Sequence, residues 1–232
     1  MLLLMTSILH ISDPHFETEV MRRLRHLARF HADCDVVALT GDCTSSSNRQ
    51  LPDEWNEWPQ RLKLAMPGNH DDLNTFDLLH GWRWLPKWEY GRERHPPLVH
   101  RLNDLLFVGV DTSDKRRPYA ELEADLDKIK QTEAADTSAV VLLTHIWPCW
   151  GEAEEMGEIL RGFIGNRSLL VLHGHWHNGN SKGSEWEAAA KIGGVTYYRS
   201  KAISCKGPKR GRGHLITWGN SQFTCSEVQG EW

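Results

Sequence analysis

The sequence contains few cysteines, and their spacing argues against the two structural uses that cysteines most often have. The chain has five, Cys34, Cys43, Cys149, Cys205 and Cys225, an odd number with no CxxC pair. A disulfide framework normally has an even number of cysteines, and a thiolate zinc site normally has close pairs. We therefore expect reduced thiols and a cytoplasmic protein.

Long apolar runs and an excess of one charge are also lacking. No run reaches the roughly 18 residues of a transmembrane helix. The apolar start Met1–Met5 lacks a basic flank and a full apolar region, so we predict neither a signal peptide nor a membrane partner. Lys and Arg number 27 against 31 Asp and Glu, a net charge of -4 that gives no whole-protein attraction to nucleic acid. Basic clusters at 115–117 and 206–212 leave nucleic-acid contact open as the less favoured alternative.

The remaining composition is typical of one globular domain, which we assign to 1–232, because 40% of the residues are hydrophobic and 25% are charged. Up to about residue 180, buried strands alternate with amphipathic helices, the pattern of an α/β fold. The predicted strands are Ser7–Ser12, Val36–Thr40, Leu62–Met66, Leu105–Val110, Val140–Thr144 and Leu169–Leu172. The predicted helices are Glu17–His31, a short one within Asp71–Trp88, Tyr119–Ala135 and one from Met156 to Phe163.

The C-terminal part of the chain changes character. Val195–Ser200, His214–Trp218 and Gln222–Val228 look like strands without intervening helices, and Gly219-Asn220 is a hairpin signal. We therefore predict a core at 1–180 that carries the site, and C-terminal strands at 190–232 that form an antiparallel layer in a second sheet.

Polar side chains that can bind metal follow five of the predicted strands. They are Asp13 and His15, Asp42, Asn69, His145, and His175 with His177. Ligand crevices of open α/β sheets lie beyond the carboxyl ends of the strands, so we expect these side chains to converge. Carboxylate, imidazole and amide ligands without thiolates suit zinc, manganese or iron, and seven residues can hold two such ions if one carboxylate bridges them.

Each of these residues also has an ordinary structural explanation. A single histidine is more often a core or turn residue than a ligand, and Asp13 or Asp42 could cap the segment that follows its strand. The segment Gly174–His177 could be an exposed loop. None of these explanations predicts ligand types at five strand ends, so the joint pattern favours a metal centre.

The motifs Asp13-x-His15, Gly41-Asp42, Gly68-Asn69-His70-Asp71, Thr144-His145 and Gly174-His175-x-His177, in this order, resemble the signature of the calcineurin-like metallophosphoesterase superfamily. In length and spacing the chain is most similar to its small bacterial cyclic-nucleotide phosphodiesterase branch. The resemblance implies a four-layer α/β/β/α sandwich with a mostly parallel sheet.

The resemblance also implies roles for the residues of these motifs. Asp13, His15 and His177 would bind one divalent ion, and Asn69, His145 and His175 the other, with Asp42 bridging. His70 would be the catalytic acid and Asp71 would orient its ring, while a metal-bound hydroxide attacks phosphorus. Ser45 stands where many members have a second acid, which puts the support of that loop in doubt.

From this resemblance we expect two divalent ions (Mn, Fe or Zn) and hydrolysis of a phosphodiester in a small, nucleotide-like substrate. Trp147, Trp150 and Trp176 adjoin predicted ligands, so they either form a wall that stacks a nucleobase or pack in loops. A DNA nuclease, a phosphomonoesterase or a Ser/Thr protein phosphatase of the same superfamily stays open, as does an inactive scaffold. No oligomeric state is predicted.

Overall fold

The computed structural model describes residues 5–15, 18–43, 55, 57–71, 83–84, 98–112, 119–133, 136–147, 153–175, 185–202 and 211–229. In chain order the elements are β1 (Thr6–Ile11), α1 (Thr18–Phe30), β2 (Val36–Thr40), β3 (Leu62–Met66), β4 (Arg83–Trp84), β5 (Leu98–Leu102), β6 (Leu105–Gly109), α2 (Tyr119–Glu133), β7 (Ala139–Leu143), α3 (Ala153–Ile164), β8 (Ser168–His173), β9 (Glu185–Ile192), β10 (Val195–Lys201), β11 (Arg212–Gly219) and β12 (Gln222–Gln229).

The strands form two mixed sheets. The first sheet has the order β12, β11, β1, β2, β3, and the second has the order β4, β5, β6, β7, β8, β10, β9. Neighbours are parallel from β1 to β3 and from β6 through β7 and β8 to β10, whereas the outer strands pair antiparallel. The parallel centres explain the uninterrupted apolar strands, because such strands are covered on both faces.

Alternate residues of each strand point to different layers. In β2, Val36 and Ala38 join a core shared by the two sheets, whereas Val37 and Leu39 pack with α1 on the outer face of the first sheet. Helices α2 and α3 cover the outer face of the second sheet, where Leu126 and Phe163 are buried. The order of layers is therefore α1, first sheet, second sheet, and α2 with α3, which confirms the α/β/β/α prediction.

Two details of the predicted architecture are corrected. The C-terminal strands do not form one added layer, because β11 and β12 extend the first sheet beside β1 while β9 and β10 extend the second. Within Asp71–Trp88, where a short helix is predicted, Arg83 and Trp84 form a strand that pairs with β5, so the helix does not extend to them. Residues 72–82 and 85–97 lie outside the described part of the chain.

The described helices are short, the longest having 15 residues, and none of them is both long and apolar enough to span a bilayer.

Candidate metal centre

The segments that follow β1, β2 and β3 of the first sheet and β7 and β8 of the second meet at one end of the sandwich. The rim to which these segments lead is formed by two facing sheets. Asp13, His15, Asp42 and His175 have left-handed backbones there, with φ of 55°, 46°, 50° and 71°. Non-glycine residues in this region cost on the order of 1–3 kcal/mol each and cluster at functional sites.

Two groups of metal-binding side chains lie at this rim, and they share one residue. Asp13, His15 and Asp42 form the first group, and Asp42, His145 and His175 form the second, with the ligand atoms of each group within 4.8 Å of one another. The Asp42 carboxylate, 1% exposed, has one oxygen 3.7 Å from His15 Nε2 and the other 3.3 Å from His145 Nε2. These atoms are the oxygen and nitrogen donors that zinc, manganese and iron accept.

The imidazole of His145 is fixed in the orientation that a metal ligand needs. Its Nδ1–H donates to the carbonyl oxygen of Thr40 at 2.8 Å, and its backbone N–H donates to Thr112 Oγ1 at 3.2 Å. Nε2 therefore carries the lone pair when the ring is neutral, and it lies 3.1 Å from Asn69 Oδ1. Ligand histidines are commonly held in this way, through the nitrogen that does not bind the metal.

The electrostatics of the rim favour positive charge. Burial by itself would raise the pKa of Asp42, but the hydrogen bond and charge of His145, the His70 N–H and His15 outweigh it and lower that pKa to about 2. Burial would lower the pKa of His145, but Asp42 and Asp13 outweigh it and raise that pKa to about 9. A proton therefore occupies this site readily, and a divalent cation would compete for the same negative field.

The turn after β3 brings three predicted site residues to the rim, Asn69, His70 and Asp71. His70 donates its backbone N–H to Asp42 Oδ1 at 3.1 Å, and its exposed ring stands edge-on to that of His15, with centroids 5.5 Å apart. Asp71 Oδ2 accepts hydrogen bonds from the N–H groups of Gly68 at 2.7 Å and Cys43 at 3.1 Å. Asp71 thus ties the turn after β3 to the segment after β2, and its predicted action on the His70 ring stays a prediction.

Space for His145 is provided by Gly41. Its φ is +91°, and a Cβ built on it would overlap the imidazole of His145 and the backbone of Gly68. A larger residue would therefore both strain the turn and push a candidate ligand out of place.

Comparison with known proteins agrees with this geometry. A sequence model described as calcineurin-like phosphoesterase matches residues 6–179, about three quarters of the chain. The chain belongs to this family. It is therefore a metal-dependent phosphoester hydrolase, and the two candidate groups offer oxygen and nitrogen ligands for divalent ions.

Solved structures share the fold of this phosphoesterase at low identity. GAP50, the anchor in the inner membrane complex of Plasmodium, is 11% identical with a TM-score of 0.60 over 98% of this chain and 86% of its own. A dimetal phosphatase from Danio rerio is 10% identical with a TM-score of 0.51, over 97% of this chain and 99% of its own. A 5'-nucleotidase from Candida albicans is 11% identical with a TM-score of 0.52, over 97% of this chain and 51% of its own. No curated protein matches the sequence.

One predicted substrate-binding residue has a different role in the structure, and several other residues lie outside the described part of the chain. His177, Ser45, Trp150 and Trp176 lie outside the described residues. Trp147 is a core residue, 2% exposed, whose Nε1–H donates to Tyr197 Oη at 3.0 Å, so it forms no wall for a substrate.

Thr40 and Thr112 support this site, and neither was predicted from the sequence. Thr112 Oγ1 accepts from the backbone N–H groups of His145 and Ile146 and pairs with Thr144 Oγ1 at 2.7 Å. A threonine at or just beyond a strand end gives no signal in the sequence that separates such support from ordinary turn chemistry.

Proposed function

We propose that this protein is a binuclear phosphodiesterase that acts on a small, nucleotide-like substrate. The observation that carries the proposal is the pair of ligand groups joined at the buried carboxylate of Asp42, with His70 exposed beside it. Two ions that share a bridging carboxylate are the usual arrangement for hydrolysis of phosphoesters.

The residues present fit two divalent ions. Asp13 and His15, with His177, would hold one ion, and Asn69, His145 and His175 would hold the other, with Asp42 between them. When bound, the ions would offset negative charge on the phosphoryl oxygens and acidify a water molecule. Manganese, iron and zinc all suit this donor set, and we choose Mn²⁺ for reconstitution.

His70 is the residue we propose as the acid. A diester releases an alkoxide, which is a poor leaving group unless it receives a proton as the bond breaks. The His70 backbone is anchored on Asp42 Oδ1 while its ring is exposed at the rim, so the imidazole can reach a substrate that contacts the centre. Asp71 would support it by holding the turn that carries it.

The tryptophans and the basic clusters add little information about the substrate. Trp147 gives no support for nucleobase stacking, because it is buried in the core. Of the basic clusters only Arg212 is described, and its guanidinium is engaged with Glu227, as in an exposed surface pair. The free thiols of Cys34, Cys43 and Cys225 support a reducing compartment, and we propose the cytoplasm.

The test is hydrolysis of matched aryl phosphate mono- and diesters, followed by cyclic and linear nucleotides, with protein reconstituted in Mn²⁺. We expect diester turnover that EDTA abolishes, that Mn²⁺ restores, and that Asp42→Asn lacks. The matched control is Asp104→Asn, at a partly buried aspartate that accepts from Trp218 Nε1 far from the rim.

Three outcomes would contradict the proposal. A preference for monoesters would indicate a phosphomonoesterase or protein phosphatase. Turnover only on long DNA, with binding to single strands that weakens steeply with salt, would indicate a nuclease. Bound metal without turnover on any substrate would indicate a scaffold.

A further inference from the structure

A chain of buried polar side chains lies between the two sheets directly beneath the metal centre. His10 Nε2 is 2.9 Å from Thr40 Oγ1, and His10 Nδ1 is 2.7 Å from Ser200 Oγ, which is also 2.7 Å from His214 Nδ1. His10, Thr40 and Ser200 are fully buried, and His214 is 2% exposed. None of these four residues has a part in the chemistry proposed above.

Burying four polar groups in a core is costly unless each has a hydrogen-bond partner. These three contacts can form a directional series, because a neutral imidazole can donate with one nitrogen and accept with the other, while a hydroxyl can do both. Burial, together with the neighbouring histidines, holds the pKa of His10 well below its usual value, so its ring is neutral. Apolar side chains of similar size would fill the same space without this requirement.

The chain joins the two sheets where the candidate ligands meet. His10, Thr40 and His214 belong to β1, β2 and β11 of the first sheet, and Ser200 belongs to β10 of the second. Below this level the sheets meet through an apolar core that includes Ile8, Phe107 and Val141. Apolar contact is non-directional, so it fixes the distance between sheets better than their offset, whereas hydrogen bonds fix both.

The chain ends on the residue that orients His145. The Thr40 carbonyl oxygen accepts from His145 Nδ1 at 2.8 Å and from Ser12 Oγ at 2.8 Å, while the Thr40 hydroxyl binds His10. His145 and His175 come from the second sheet, whereas Asp13, His15 and Asp42 come from the first. The separation between the two ligand groups therefore depends on the offset between the sheets.

We propose that Thr40, His10 and Ser200 are positioning residues, whose hydrogen-bonded chain sets the offset between the sheets and thereby the geometry of the second ligand group. The inference rests on the proposed binuclear centre, because it concerns how that centre is held. It assigns these residues no contact with substrate or metal.

The test measures Mn²⁺ affinity and stoichiometry by calorimetry, and melting temperature in EDTA, for Thr40→Val and Ser200→Ala. Thr40→Val keeps the shape of the side chain and removes the hydroxyl that His10 binds. Thr40→Ser keeps the hydroxyl and is the rescue variant. The matched control is Thr6→Val, a fully buried threonine of β1 at the far end, whose Oγ1 accepts from Asn103 Nδ2 at 2.9 Å.

We expect Thr40→Val and Ser200→Ala each to weaken Mn²⁺ binding at one of the two sites by about tenfold, the lower end of the effect of residues behind metal ligands. The Mn²⁺ affinities of Thr40→Ser and Thr6→Val should stay within twofold of the wild-type value. This should hold for Thr6→Val even if it lowers the melting temperature as much as Thr40→Val does. Unchanged affinity in either Thr40→Val or Ser200→Ala, or equal weakening in Thr6→Val, overturns the inference. Wild-type protein that binds no Mn²⁺ overturns the proposed function, and the inference with it.

Discussion

The Asp42→Asn substitution removes a negative charge at the point that the two ligand groups share. The carboxylate is 1% exposed, accepts the His70 N–H at 3.1 Å and lies 3.3 Å from His145 Nε2. Asparagine has nearly the same shape, so the turn can keep its backbone. It has no charge, and its amide nitrogen cannot bind a metal.

The expected loss of stability follows from the pKa of Asp42. That pKa falls from the ordinary 3.8 to about 2 in the folded protein, which at about 1.4 kcal/mol per unit corresponds to about 2 kcal/mol. Because the folded pKa is the lower one, this stabilisation is complete above the unfolded pKa, so it is present at pH 7. It is lost as the pH falls through 2. In a chain of this length about 2 kcal/mol corresponds to a melting temperature lower by about 4 to 8 °C.

The assay compares thermal unfolding of the wild type and Asp42→Asn at pH 7, first in EDTA and then in Mn²⁺. Wild-type protein at 100 times the dissociation constant should gain about 2.7 kcal/mol for each ion bound. The variant should lose most of this gain in addition to its lower melting temperature in EDTA. Asp104→Asn is the control, since its side chain can still accept from Trp218. Equal melting temperatures in EDTA, with a full gain from Mn²⁺ in Asp42→Asn, would contradict the bridging role of Asp42.

Three further predictions concern single substitutions, at His70, His10 and Gly174. His70→Asn should lower kcat on diesters by about 100-fold or more and keep Mn²⁺ affinity within twofold; turnover at the wild-type rate would contradict its role as acid. The pKa of His10 in the folded protein is well below 6.5, so protonation at low pH favours the unfolded state. As the pH is lowered from 6.5, the unfolding free energy of the wild type should decrease relative to that of His10→Leu, by up to about 1.4 kcal/mol per pH unit. Urea unfolding in EDTA measures this difference. Gly174→Ala should weaken Mn²⁺ binding, because a Cβ there would overlap Ser12 Oγ and the Asp13 carboxylate. The control is Gly162→Ala, on an open helical surface. It should stabilise the fold by about 0.5–1 kcal/mol and leave Mn²⁺ affinity unchanged.

The positions of the candidate ligands at strand ends were predictable, because each ligand lies within a few residues of its strand in the sequence. Asp42 and His145 each stand two residues beyond the end of an apolar strand, and parallel strands place their carboxyl ends on the same side. The division of the strands between two sheets was not predictable. β3 and β6 are both buried on two faces, so hydropathy carries no information about which sheet each joins.

Strand β9 was missed for a different reason. Its sequence, Glu185–Ile192, is rich in alanine, glutamate and lysine, which favour helices, and pairing with β10 at the edge of the second sheet outweighs that preference. The supporting chain was missed because His10 and Ser200 are 190 positions apart. Only the topology of the two sheets brings them together.

The short segment Thr40-Gly41-Asp42 shows why one strand end matters most for the candidate centre. Its three residues act on the same neighbour, since the Thr40 carbonyl orients His145, Gly41 leaves space for that ring, and the Asp42 carboxylate lies against its Nε2. His145 comes from the other sheet, so this segment is where the first sheet fixes a ligand of the second. A shift of β2 would disturb orientation, space and charge at once, whereas a shift of β1 would move Asp13 and His15 alone among the candidate ligands. The described ligands of the second group therefore come from both sheets, whereas those of the first group, Asp13, His15 and Asp42, come from one.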